Sequence, residues 1–181
     1  MGHRPGSVDE AGRTEHRDVP TDGTPVVVRT LTTKDRAAFI ALHERQLGRD
    51  RWLRFLSGAP AGTDAYPDRA LGGIDSEVLG AFLDGELAGV VHVAVNPAVP
   101  TKAEITVAVG HAVQWHGVGT LLLEHAARAS RRRGVTRWTA LVLSENQNML
   151  RVLDDLGLPV QVDRDGAETN VERSPWPPWR T

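Results

Sequence analysis

Val107-Ala108-Val109-Gly110-His111-Ala112-Val113-Gln114-Trp115-His116-Gly117-Val118-Gly119-Thr120 decides the reading of this chain: a strand ends, a loop turns, and a helix opens on glycines. A helix N-terminus leaves backbone N–H groups unpaired and carries partial positive charge. It therefore takes phosphate without basic side chains. Gly117 and Gly119 lack Cβ, so a phosphate can approach the backbone closely. The segment is not a Walker loop, because no Gly-Lys-Ser/Thr follows. Nor is it a dinucleotide fingerprint, since the first glycine of G-x-G-x-x-G is missing. On its glycines alone it reads equally as a softened helix start that binds nothing.

Upstream, Val78 to Leu83 and Leu87 to Val95 flank Asp84-Gly85-Glu86, and Asp-Gly between apolar runs predicts a hairpin. Glu104 to Val109 alternates and predicts a third arm of one antiparallel meander. Val26 to Leu31 reads as a strand. Thr33 or Asp35 caps a helix that runs through Leu47 and stops at Gly48. Asp50 to Leu56 reads as a short helix, and Gly58 to Gly73 as loop. Downstream, a helix runs from the glycines through about Arg133, with Gly134 as its C-terminal glycine. Arg131, Arg132 and Arg133 fall in its last turn, where the dipole favours cations; a patch touching an anionic partner is the other reading. Trp138 to Leu143 predicts a strand, Asn146 to Leu156 a helix, and Glu168 to Glu172 a last strand after Asp165-Gly166. Residues 1–24 read as a flexible N-terminal tail, 25–173 as one folded domain, and 174–181 as a Pro/Trp-rich C-terminal tail.

Composition narrows the chemistry. The chain has 181 residues, 40% of them hydrophobic and 24% charged, which excludes global disorder and rod-like folds. Cysteine is absent, so disulfides, thiol nucleophiles and thiolate metal sites are excluded. No His/Asp/Glu spacing suggests another metal site. The formal charge of −2 gives no global field for nucleic acid. No apolar run approaches the ~20 residues that cross a bilayer, and the N-terminus lacks the apolar core of a secretory signal. The expected location is cytoplasmic. His92, on an apolar strand, and His125, on the long helix, read as structural.

Two motifs in order carry a resemblance. Gln114-Trp115-His116-Gly117-Val118-Gly119 resembles the Q/R-x-x-G-x-G/A signature of the GNAT superfamily of acyl-CoA-dependent N-acetyltransferases. Asn146-Gln147-Asn148-Met149, followed by Leu156-Gly157-Leu158, is similar to its N-x-x-A/M … L-G-F segment. Ala103-Glu104-Ile105-Thr106, Ala140 to Asn146, Met149 to Leu153 and Arg51 to Leu56 further resemble the GNAT domain of bacterial protein-lysine acetyltransferases. The resemblance covers about Val26 to Val171. It implies an α/β (α+β) three-layer fold: a mixed, mostly antiparallel sheet, splayed at its centre, with helices on both faces.

The implied co-substrate is acetyl-CoA, with no metal. By the resemblance, its pyrophosphate lies on Gln114, Trp115, His116, Gly117, Val118, Gly119 and Thr120, its pantetheine pairs with the backbone of Val107 and Val109, and Asn146 faces the thiol end. His116 stands where arginine is common and adds full charge only when protonated. Acetyl transfer requires an ammonium to lose a proton and a thioester carbonyl to find a donor. Glu104 matches the glutamate of the lysine-acetyltransferase subgroup and is the expected base; burial beside Ile105 and Val107 would suit it to that work. The expected carbonyl donor is the amide of Val107. Leu153 stands where many family members have an acid tyrosine, and Tyr66, the only tyrosine, reads as lying in a distant loop. The acid is left to water or to unaided departure of the thiolate. The expected partner is a protein or small-molecule amine, not nucleic acid or membrane, and a homodimer is left open. A non-catalytic acyl-CoA sensor is the reading from another class.

Overall fold

The structure, a computed structural model, describes residues 7–8, 14–18, 24–47, 65–110, 117–143, 161–165 and 168–173. The strands are β1 Ser7–Val8, β2 Thr14–Asp18, β3 Val26–Thr30, β4 Ser76–Leu83, β5 Glu86–Val95, β6 Lys102–Val109, β7 Arg137–Leu143, β8 Gln161–Asp165 and β9 Glu168–Arg173. The helices are α1 Arg36–Leu47, α2 Ala65–Gly72 and α3 Val118–Arg132. Among the described residues the sheet order is β1-β2-β3-β4-β5-β6-β7-β9-β8. Every neighbouring pair is antiparallel except β6–β7, which is parallel.

The meander is the local part of this sheet. Asp84 and Gly85 both take positive φ, 48° and 83°, the backbone that closes a two-residue hairpin with the right twist. Period-two alternation then divides the sheet into two faces. One face carries Val91, Val93, Ala103 and Ile105 against Leu122, Leu123, Ala126 and Ala129 of α3. The other carries Val78, Val90 and Ala108 against Phe39 and Leu42 of α1 and Ala70 of α2. Trp138 is buried under the first face, and its indole N–H donates to Ser130 Oγ at 2.8 Å.

The start of α1 follows its sequence signals with one shift. Thr32, rather than Thr33 or Asp35, is the cap of a single 3-10 turn that leads into the helix. Asp35 closes the capping box by accepting from Thr32 N–H at 2.9 Å. The same carboxylate takes a two-pronged bond from Arg29, at 2.7 and 3.1 Å, and Arg29 lies 4.2 Å over the Phe82 ring. Burial raises the Asp35 pKa, but Arg29 and Thr32 together outweigh it and hold the carboxyl below its ordinary value.

Two expectations give way. Residues 14–18 were expected in a tail, yet they form β2 on β3, pairing Glu15↔Arg29 through Asp18↔Val26. Thr-Glu-His-Arg-Asp has no apolar alternation, so its strand rests on backbone pairing and on a polar contact. Neutral His125 of α3, buried, donates from Nε2 to Asp18 Oδ2 at 2.8 Å, and His16 packs 4.9 Å from the His125 ring. Residues 65–72 were expected as loop, yet they form α2, with Pro67 in its first turn and Asp68 near its positive end. The expected helices over 50–56 and 146–156 and the tail over 174–181 lie outside the described residues. No helix among the described residues is long and apolar enough to cross a membrane.

Buried neutral histidines make stability depend on pH. Burial lowers both His92 and His125 to about 4. An unfolded histidine titrates near 6.5, so between these values the unfolded chain binds more protons and stability rises with pH. The stabilisation is complete above about pH 6.5 and is lost as pH falls toward about 4, at roughly 1.4 kcal/mol per pH unit for each such histidine. Urea melts at pH 7 and pH 5 are expected to show a lower midpoint at pH 5, and His125→Gln is expected to flatten that difference.

Candidate active site

The sheet opens where β6 and β7 part. Their parallel rungs are Lys102↔Arg137, Ala103↔Trp138 and Glu104↔Thr139. Beyond Thr139, β7 continues beside β9 as far as Leu143↔Glu168, while β6 continues beside β5 as far as Val109↔Gly89. Glu104 therefore sits on the last rung before the gap.

Ladder parity places the backbone groups at this gap. Asn96 N–H donates to the Lys102 carbonyl at 2.9 Å, and Gly110 N–H donates to the Ala88 carbonyl at 2.8 Å. In an antiparallel ladder the hydrogen-bonded pairs alternate. The even-numbered residues of β6 thus bond β5, and the main-chain groups of Val107 and Val109 face the β7 side, along the gap. Both positions were singled out from the sequence for contact through their backbone, and the register gives them that direction.

The start of α3 lies at the same end of β6. Gly117 is its N-cap residue, with φ 78°, and has no side chain with which to cap the helix. The first helical bond there is Leu121 N–H to the Gly117 carbonyl, 3.0 Å, which leaves the amides of Val118, Gly119 and Thr120 at the helix mouth. Gly117 needs glycine for its left-handed backbone. Gly119 does not: a Cβ there would meet only Val109 Cγ2, at an ordinary 3.7 Å. Glycine inside a helix costs about 0.5–1 kcal/mol relative to alanine. Nothing in the described packing demands it, so the bare backbone at Gly119 fits an external group that comes close. This arrangement suits a phosphate. Gln114, Trp115, His116 and Asn146, the other expected cofactor contacts, lie outside the described residues, as does Leu153.

Glu104 differs from expectation in one respect. Its side chain is exposed and lies on the α1/α2 face, opposite Ile105 and Val107. Alternation along the strand turns it away from those apolar neighbours, so the expected burial against them is absent.

That face also holds groups the sequence reading left unassigned. His92 on β5 is opposite Thr106 of β6 and diagonal to Glu104. It is buried, and bonds Tyr66 Oη through Nδ1 at 3.0 Å and Ser76 Oγ through Nε2 at 2.7 Å. Tyr66 packs edge-on to the His92 ring, centroids 5.7 Å apart. Burial, then the charge of Glu104, push the Tyr66 hydroxyl far above its ordinary pKa, so it keeps its proton. His43 of α1 is buried too: its Nδ1–H donates to the Phe39 carbonyl at 2.8 Å, and burial holds its pKa below the usual value. Tyr66 was read as a remote loop residue; α2 brings it to the sheet beside the gap. The one sequence sign was Pro67-Asp68 at a helix start.

Comparison with known proteins agrees with this fold. The model of the acetyltransferase (GNAT) family matches residues 44–158. The structure is similar to the GNAT domain of PAT from S. lividans, at 27% identity and TM-score 0.73, over 87% of this chain and 95% of that one. It shares its fold with the PaiA N-acetyltransferase of Thermoplasma acidophilum, solved in complex with coenzyme A, at 18% identity and TM-score 0.63, over 82% of this chain and 98% of that one. It shares it also with a cAMP-binding acyltransferase from Mycobacterium smegmatis, at 21% identity and TM-score 0.65, over 91% of this chain but only 48% of that one.

Proposed function

Because this chain belongs to the acetyltransferase (GNAT) family, whose members move acetyl from acetyl-CoA to an amine, we propose that its acceptor is a protein lysine and that Glu104 is the general base. The observation that carries the proposal is the position of Glu104: exposed, on the last rung before β6 and β7 part, on the face that α1 and α2 cover. A lysine side chain arriving from solvent reaches that carboxylate and the gap together. The Ala103-Glu104-Ile105-Thr106 and Ala140 to Asn146 stretches, which resemble the GNAT domain of bacterial protein-lysine acetyltransferases, support a lysine acceptor.

Each described residue then has a task. The amides of Val118, Gly119 and Thr120, past the bare Gly117, hold the pyrophosphate. The backbone of Val107 and Val109 pairs with the pantetheine, and the Val107 amide donates to the thioester oxygen as charge develops on it. Glu104, directly or through one water, takes a proton from the lysine ammonium, and the neutral amine attacks the acetyl carbon. The C–S bond breaks, and the leaving thiolate takes up, through water, the second proton that the nitrogen sheds as the amide forms. With no cysteine in the chain, the acetyl group passes without a Cys-acyl intermediate. Gln114, Trp115, His116 and Asn146 complete the cofactor contacts in this proposal.

The test is thiol release from acetyl-CoA with Nα-acetyl-lysine methylamide as acceptor. Release that depends on both substrates, with acetyl found on Nε by mass spectrometry, is the expected result. Turnover of small amines such as tyramine or spermidine, with none on the lysine compound, would assign a small-molecule acceptor instead.

A further inference from the structure

The rungs that close the sheet before the gap carry charge in a pattern. Ala103↔Trp138 is buried against α3, so the rungs on either side of it, Lys102↔Arg137 and Glu104↔Thr139, turn to the α1/α2 face. Two residues of strand span about 6.7 Å, which separates the two charged rungs. Arg137 is exposed and Lys102 half-buried. Like charges side by side on neighbouring strands repel, so this rung gains from an anion. Arg69 of α2, also exposed, adds a third cation; its charge and that of Glu104 both reach the Tyr66 hydroxyl. The nearby acids do not balance these cations. Asp68, next to Arg69, is taken by Arg36 at 2.9 Å. Glu77, opposite Val93, turns to the α3 face and is held by Arg132 and Arg133 at 3.2 and 3.4 Å. Glu172 of β9 stands opposite Thr139 by register. With it counted, the cations on these rungs and α2 still outnumber the carboxylates left to them.

We propose that Lys102, Arg137 and Arg69 select the acceptor: a lysine with acidic residues beside it in sequence, its ammonium at Glu104 and its flanking carboxylates over these cations. This rests on the reading of a protein lysine as the acceptor and Glu104 as its base. An extended acceptor segment repeats the spacing of β6, with side chains two residues apart on one side and about 6.7 Å between them. A carboxylate two residues from the lysine thus comes over the Lys102–Arg137 rung when the lysine meets Glu104. What the cations supply is charge, which acts at a distance, so neither Lys102 nor Arg137 gives up a contact it already has. A polycation such as spermidine brings a second positive charge to the same place and is disfavoured.

Three N-acetylated pentapeptide amides test this: Asp-Gly-Lys-Gly-Asp, Ser-Gly-Lys-Gly-Ser and Arg-Gly-Lys-Gly-Arg, each with a single amine. At low ionic strength the wild-type kcat/KM is expected to fall in that order, by about two- to fivefold for each charge engaged. The spread should close at about 1 M salt, where the screening length is about 3 Å; this series needs no variant. Arg137→Glu should cut the ratio of the Asp peptide to the Arg peptide by about fivefold, and Arg69→Glu should cut it in the same direction. The same charge swap at Arg17, exposed on β2 at the far side of the sheet, should leave the ratio in place. Equal kcat/KM for the three peptides overturns the inference, as does a ratio that Arg137→Glu and Arg69→Glu both leave unchanged; in either case the lysine acceptor stands. Turnover of tyramine with none of any peptide overturns the lysine reading, and the preference with it. A Glu104→Gln enzyme with the wild-type rate on the Ser peptide overturns the placing of the ammonium at Glu104, and the role of the cation rung beside it.

Discussion

Glu104→Gln is expected to lower kcat by about 10²–10⁴-fold, the usual contribution of a positioned general base, while the dissociation constant for acetyl-CoA stays at its wild-type value. That loss corresponds to roughly 3–5 kcal/mol of barrier. The separation of the two effects follows from the register. Glu104 projects to the α1/α2 face from the last β6–β7 rung, whereas the backbone of Val107 and Val109 and the amides of Val118 to Thr120 lie further along the opening. Glutamine keeps the size and the hydrogen bonding of the side chain and removes its basicity. An exposed site tolerates it, so the melting temperature should not move. Raising the pH should partly restore the rate, because free amine then makes up more of the acceptor. A variant that lost acetyl-CoA binding along with kcat would instead place Glu104 in the cofactor cradle.

The largest loss of stability is expected from Phe39→Ala. Phe39 is fully buried, with 0% of its surface exposed, and lies 4.4 Å from the His43 ring and 6.0 Å from the Tyr66 ring. Its removal leaves a cavity between α1, α2 and the sheet, at a cost of about 3–5 kcal/mol. For a domain of this size the midpoint should fall by roughly 10 °C. Phe39→Leu should recover most of it. Acceptor turnover should suffer more than acetyl-CoA binding, because Phe39 supports the α1/α2 layer on the face where Glu104 lies and not the α3 mouth. A Phe39→Ala midpoint within about 2 °C of wild type, no more than the change seen on a surface residue, would contradict the packing described here.

The meander and α3 were legible from sequence because each rests on local chemistry, whereas the splay of the sheet was implied only by the family resemblance. Asp84-Gly85 dictates its turn, Gly117 its helix start, and the alternation from Glu104 to Val109 its two faces. What the sequence hid depends on partners distant in the chain. Thr14 to Asp18 is a strand because β3 offers an edge and His125, over a hundred residues away, offers a bond. Residues 65–72 fold as α2 with Tyr66 and Ala70 resting on the sheet, although the stretch is full of loop residues. Glu104 was placed among Ile105 and Val107 as sequence neighbours, when a strand sends such neighbours to opposite faces. The line from Ser76 through His92 to Tyr66 joins β4, β5 and α2 and has no spacing by which a sequence could announce it.

The central claim is that the gap between β6 and β7, with the bare mouth of α3, holds acetyl-CoA. Isothermal titration of the purified protein with acetyl-CoA, and then with free CoA, tests it most directly. The account predicts one site for each in the micromolar range, weakened by Gly119→Val, whose added methyls would enter the path of the pyrophosphate. No heat with either compound up to millimolar concentration, from a protein shown to be folded, would contradict it.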